Sequence, residues 1–121
     1  MKKTFLIFFA LILALIISVP AQSSTFKKNI IEGVKFLDSI SEVEWYKVEG
    51  KSLIIGWKGI PKFFPHHNRK AAVRANIATS QEVRVWAVRH TQKSWHVGSG
   101  KSYICFVSAN NGRIKNGTCN R

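Results

Sequence analysis

Two cysteines constrain this chain more than any other pair of residues. Cys105 and Cys119 stand equally far either side of Gly112, in a segment that contains Asn110-Asn111-Gly112. That triplet is a tight-turn signal, with Gly112 suited to a positive φ. Before it, Lys101 to Ser108 alternates as a strand, with Tyr103, Cys105 and Val107 on one side and Ile104 and Phe106 on the other. Both sides are apolar, which suits a central strand. Arg113 to Cys119 returns as the last strand. A Cys105–Cys119 bond would close this hairpin and stabilise it by about 3 kcal/mol in the chain-entropy model.

The start of the chain places the cysteines in an oxidising compartment. Met1-Lys2-Lys3 is followed by an apolar run from Phe5 to Val19 and then by Pro20-Ala21. A basic start, an apolar run and a small-residue exit form an export signal. Residues 1–21 are therefore expected to be a signal peptide cut after Ala21, with an uncleaved anchor as the alternative. Residues 22–121 are expected to form one exported domain, periplasmic or secreted. The short Lys-Lys start fits bacterial export, and pairing the two cysteines is the default for an exported chain.

The strand from Glu82 to His90 organises the rest. Val83, Val85 and Ala87 point one way, and Arg84, Trp86, Val88 and His90 the other. Period-two alternation of β-branched and aromatic residues marks a strand with one face on a core. If helices cover the valine side, then Arg84, Trp86 and His90 lie on the open side of the sheet. If helices cover Trp86 and Val88, any site must lie in the loops.

Phe26 to Ile40 is expected to be a helix, with Phe26, Ile30, Val34, Phe36, Leu37 and Ile40 on one stripe. Gly33 sits on that stripe, where it allows close packing. Val43–Val48 and Ser52–Trp57 flank Glu49-Gly50-Lys51 as a hairpin, and Gly56 within the second strand signals a bulge or a close backbone approach. Lys58 to Pro65 is a loop, and Asn68 to Ser80 a second helix capped by Asn68. The order is α-β-β-α-β-β-β. The fold class is α+β: one small domain, mainly antiparallel sheet with two helices on one face.

The charge is lopsided. From Gly50 to Arg121, thirteen basic residues face one acid, Glu82, whereas Gln22 to Glu49 is nearly neutral. Such a surface attracts polyanions. Basic residues interleave with aromatics, which suits anionic groups carried on bases, sugars or lipids. The candidate binding residues are Lys58, Lys62, Lys70, Arg74, Arg84, Arg89 and Lys93, with Trp57 and Trp95 divided between core and site.

Three functions follow from this pattern. The first is a non-enzymatic binding protein for an anionic polymer or membrane surface. The second is an inhibitor or immunity factor that docks on an acidic cleft of another protein. The third is a secreted ribonuclease-like hydrolase using Glu82 with Arg84 or Arg89 and with His90 or His96. Arg89 points away from Glu82 and Arg84 on the strand, which counts against that set, and a structural ion pair is the simpler role for Glu82. No catalytic residue is assigned. No cofactor and no metal site are expected, since the four histidines lack ligand spacing and the cysteines are committed to each other.

Overall fold

The computed structural model describes residues 24–120. The expected export signal at 1–21 lies outside the described residues. The fold is α+β: helix α1 (24–33), a 3₁₀ segment (Lys35–Ser39), β1 (Val43–Glu49), β2 (Ser52–Trp57), α2 (Phe64–Thr79), β3 (Val83–Arg89), β4 (Cys105–Asn110) and β5 (Arg113–Gly117). The five strands lie side by side in chain order. Every neighbouring pair is antiparallel except β2–β3, which α2 connects and which run parallel, Ser52 opposite Arg84 through Trp57 opposite Arg89. A parallel pair needs such a crossover, because a tight turn can only reverse direction.

Both helices cover one face. Leu53, Ile55 and Trp57 of β2, Val83, Val85 and Ala87 of β3, and Cys105, Val107 and Ala109 of β4 form the main core there. Ile30, Val34 and Leu37 meet them from the first helical segment, and Phe64, Ala71, Ala72 and Ala75 from α2. The alanines let α2 lie close to the sheet. Gly33 does the same between helices: a Cβ there would meet the Ala78 Cβ at 3.0 Å and the Arg74 carbonyl at 3.1 Å. The expected Phe26–Ile40 helix is broken just after this contact, at Val34, and continues as a 3₁₀ turn.

Helix α2 begins four residues earlier than expected. Pro65 occupies its first turn, where its missing N–H costs nothing. Asn68 is consequently not a cap but a fully buried helical residue. Its Oδ1 accepts from Trp57 Nε1 at 3.2 Å and its Nδ2 donates to the Phe64 carbonyl at 3.0 Å. Asn76 plays a matching part at the other end, where its Oδ1 accepts from Gly112 N–H at 2.8 Å and ties α2 to the β4–β5 turn. In that turn Asn111 and Gly112 both have positive φ, 54° and 73°, as a tight hairpin turn requires. The disulfide joins Cys105 to Cys119.

The second face of the sheet is not open. Residues 91–104 fold across it as a long loop. Trp95 packs against Ile54 and Val88, with Trp86 and Trp45 at the margin. Val97 N–H donates to Glu49 Oε1 at 3.2 Å, at the far end of β1, and Trp95 Nε1 donates to the Lys101 carbonyl at 3.1 Å, joining the two arms of the loop. Trp86, Trp95, Tyr103 and Phe106 form one aromatic cluster, with ring centroids 4.9 to 6.3 Å apart. A small second core therefore fills the side that the alternation of β3 left open.

Tyr46 links β1 to the 3₁₀ segment through a 2.8 Å bond from its hydroxyl to Asp38 Oδ1. Burial pushes its phenol up to about 12, and the bond to Asp38 and that carboxylate's charge act in the same direction. The folded protein thus holds this proton more tightly than the unfolded chain. The associated stability is complete below the ordinary tyrosine value of 10.0 and is lost as pH rises towards about 12. Urea titrations across that window should show a stability loss in the wild type that is smaller in Tyr46→Phe. Equal losses in both proteins would show that Tyr46 is not the responsible group.

Candidate functional site

The nine candidate binding residues separate into distinct places. Lys58 and Arg89 come together at the carboxyl ends of β2 and β3. They line a cleft of about 580 Å³ with Trp57, Ile60, His90 and Ile104. Lys62 follows in the loop before α2, its ammonium 5.6 Å from the centre of the Phe63 ring. Lys70 and Arg74 stand on the outer side of α2, beside a shallower groove of about 280 Å³ that also takes in His66, Arg69, Val73 and Ile114. Arg84 and Lys93 lie elsewhere. Arg84 is exposed at the opposite end of β3, on the aromatic-cluster face, and Lys93 belongs to the loop across that face, its carbonyl accepting from Lys47 Nζ at 3.0 Å.

Trp57 and Trp95 do not offer open ring faces to a ligand, which corrects the expectation for both. They are 2% and 3% exposed. Trp57 belongs to the main core, in edge contact with Phe64 at 4.8 Å, and reaches the cleft only as part of its floor. Trp95 is the centre of the second core. Four tryptophans in so short a domain are used chiefly to fill two cores.

Helix α2 presents a continuous outer stripe. Phe64, Asn68, Ala71, Ala72, Ala75 and Asn76 are buried against the sheet. The 3.6-residue period then turns His66 and Ile77 outward, with half-buried Lys70 and Val73 between them and exposed Arg69 and Arg74 on the flanks. Phe63, just before the helix, stands at its head. Phe63 is 58% exposed and Ile77 is 64% exposed. From Lys58 to Ser80 there are five basic residues and no acid. Lys70 also reaches across to the first helical segment, 4.5 Å above the Phe36 ring. His67 is turned inwards and stacks on Trp57. Burial lowers its pKa, and the positive neighbours His66 and Lys70 lower it further, against a smaller opposing effect of Glu42. Its neutral form is therefore favoured, and it adds aromatic packing more than charge.

The ribonuclease-like set does not assemble around His90. Glu82 precedes β3 and His90 follows it, so about 26 Å of extended chain separates them. Glu82 bonds Lys115 at 2.6 Å, and that bond holds its carboxyl below the usual range, with the charges of Lys115, Arg84 and Lys51 acting the same way. The pair joins the start of β3 to the edge strand β5. His90 pairs instead with Glu44, through its Nδ1. Glu44 sits at a β-bulge, where the β1–β2 register shifts between Val43 and Trp45. Its neighbour Trp45 lies over Gly56 and donates from Nε1 to the His90 carbonyl at 2.8 Å. Two consecutive residues of β1 thus reach past β2 to fix His90 at the cleft.

Sequence reasoning missed Arg69, the role of His90 and its partner Glu44. Arg69 was discoverable from the helical period once Pro65 is placed in the first turn. The Glu44–His90 pair was not, since it depends on a bulge and on the pairing of three strands. Among the described residues, no three His, Cys, Asp or Glu side chains gather as metal ligands. No protein-family model, curated protein or solved structure matches the chain. Function is therefore read from the chemistry of the side chains themselves.

Proposed function

We propose that this chain is an exported, non-enzymatic binding protein that engages an anionic partner through the outer face of α2 and the loop before it. The observation that carries this is the acid-free segment Lys58–Ser80, which sets exposed Arg69 and Arg74 and half-buried Lys70 beside exposed Phe63 and Ile77. Arginine and lysine neutralise phosphate, sulfate or carboxylate groups, and an aromatic or branched side chain between them adds apolar contact with whatever carries those groups. Export rests on the charge and apolar pattern of residues 1–21. The Cys105–Cys119 bond agrees with an oxidising destination.

The test is retention on heparin and on anionic vesicles as salt is varied. Reversing Arg69, Lys70 and Arg74 together to glutamate should move elution to much lower salt. It should also flatten the log-affinity against log-salt slope by about two to three, roughly one per lost contact. Reversing Arg84 and Lys93, on the other face, should change little. Absence of retention at low ionic strength, or an equal effect from both sets, would reject the proposal.

A second reading has one specific observation in its favour. Exposed Phe63 and Ile77 set among arginines resemble the centre of a protein interface, where aromatic and arginine side chains concentrate. An acidic cleft on another protein would satisfy the same face. Recovery of one partner that stays bound in moderate salt, and loses binding on Phe63→Ala, would favour this reading over general polyanion binding.

A further inference from the structure

The cleft at the ends of β2 and β3 is a separate feature from the α2 face. We propose that it is a binding site for a small organic oxyanion, a phosphate or carboxylate group carried on an apolar body.

The position follows from the topology. β2 and β3 are adjacent and parallel, so their carboxyl ends lie together. The chain leaves β2 towards α2 on one face, and leaves β3 into the 91–104 loop on the other. Diverging connections at a parallel pair open a crevice between them, as at the ligand crevices of open parallel α/β sheets, though here only this one pair is parallel. The volume of about 580 Å³ lies in the range of small-molecule sites.

The lining divides into two chemistries. Trp57, Ile60 and Ile104 give an apolar surface, and Lys58, Arg89 and His90 give a polar one. Among the described residues, Lys58 and Arg89 form no ion pair with a carboxylate. Of the nearby acids, Glu44 is taken up by His90, and Glu42 accepts from Ser41 Oγ at 2.8 Å. The cationic side of the cleft therefore keeps two charges for a ligand.

The polar side is also held in place before any ligand arrives. His90 is tied at its ring by Glu44 and at its carbonyl by Trp45. With Nδ1 committed to the carboxylate, Nε2 is the ring atom left for a ligand. Its backbone N–H donates to the Trp57 carbonyl at 2.9 Å, which joins the two rims. Arg89 N–H donates to Gln92 Oε1 at 3.1 Å, and Gln92 Nε2 donates to the Ser102 carbonyl at 3.0 Å, so the turn beyond β3 is cross-braced to the end of the same loop, just before β4. Groups fixed beforehand lose less freedom on binding, which raises affinity for a small ligand.

Phenyl phosphate is the probe, followed by two-dimensional NMR on the purified, disulfide-bonded protein, with inorganic phosphate and benzyl alcohol as comparisons. Phenyl phosphate should saturate below about 10 mM and shift the Trp57 indole and the Arg89 and His90 amides. Inorganic phosphate should bind more weakly, and benzyl alcohol should give no saturable shift. Arg89→Gln should weaken phenyl phosphate by about tenfold or more, with its ligand-free spectrum otherwise preserved. The Arg69/Lys70/Arg74 reversal should leave phenyl phosphate binding unchanged while it removes polyanion retention, so the two sites succeed or fail independently. Shifts confined to α2, no saturation, or wild-type affinity in Arg89→Gln would overturn the assignment.

Discussion

Gly56→Ala is expected to destabilise the protein by about 2–4 kcal/mol, a large effect for one methyl group. An added Cβ would fall within the Trp45 ring system, 2.5 Å from its Nε1. Neither atom has room to yield, because Gly56 belongs to a fully buried strand and Trp45 is braced by its bond to the His90 carbonyl. Trp45 must swing off the sheet and give up that bond. The second core then loses one of its margins. A double-mutant cycle isolates the cause. In a Trp45→Ala background the obstruction is gone, and Gly56→Ala should cost within about 1 kcal/mol of nothing, since alanine is otherwise the better strand residue. An undiminished cost in that background would mean that the ring is not what Gly56 accommodates. The chemical shift of the His90 amide should move in Gly56→Ala as well.

Removing the disulfide with Cys105→Ser and Cys119→Ser is expected to cost about 3 kcal/mol, the entropy of closing a loop of this length in the unfolded chain. For a domain of roughly one hundred residues that corresponds to a fall in Tm of roughly 12–24 °C. Both cysteines are buried, and Cys105 lies in the main core beside Asn68. Serine there adds a polar group to an apolar site, so the double alanine variant is the better measure of the bond alone. Reduction of the wild-type protein should reproduce the alanine result. If reduction leaves Tm unchanged, the hairpin is held by its strands and turn and not by the bond.

Much of this fold was legible because short-range rules and tertiary packing agree. The alternation of Val83, Val85 and Ala87 identified β3, but left open which of its faces the helices cover; packing on the valine side decides it. The placing of Cys105 and Cys119 about Gly112 identified the last hairpin and its disulfide. Gly56 read as a bulge or a close backbone approach; the bulge lies across from it in β1, and what approaches Gly56 is the Trp45 ring. Where the reading failed, a long-range contact had decided the matter. The first helix stops at Val34, directly after Gly33 meets α2, and continues as a 3₁₀ turn. Pro65 looked like a loop residue but starts a helix, since its neighbour Phe64 is drawn into the core against Trp57. The loop 91–104 carries no periodicity, yet Trp95 drives it across the sheet to bury its indole.

The candidate site was less legible for the same reason. Residue type and net charge pointed to Lys58, Lys70, Arg74 and Arg89, but could not tell which of them share a surface. Arg84 and Arg89 are five residues apart on one strand and still face opposite sides of the sheet at opposite ends. Trp57 and Trp95 fitted a ligand platform by composition, and were claimed by the cores. Glu82 drew notice as the lone acid in a basic half, whereas the carboxylate that meets a histidine at the cleft is Glu44, in the other half of the sequence.

The single parallel pairing bears on how the chain reaches this structure. The β1–β2 hairpin and the β3–β4–β5 meander each contain contacts between near neighbours and can form locally. The β2–β3 pairing joins Ser52 to Arg84 and must wait until the whole α2 crossover is in place. Closing that longer loop carries the greater entropic penalty. The cleft straddles this junction, with Trp57, Lys58 and Ile60 contributed from one side and Arg89, His90 and Ile104 from the other. Neither half holds a site alone. A ligand seated there would clasp the two halves together, so that occupancy opposes their separation and adds to the stability of the fold at that junction.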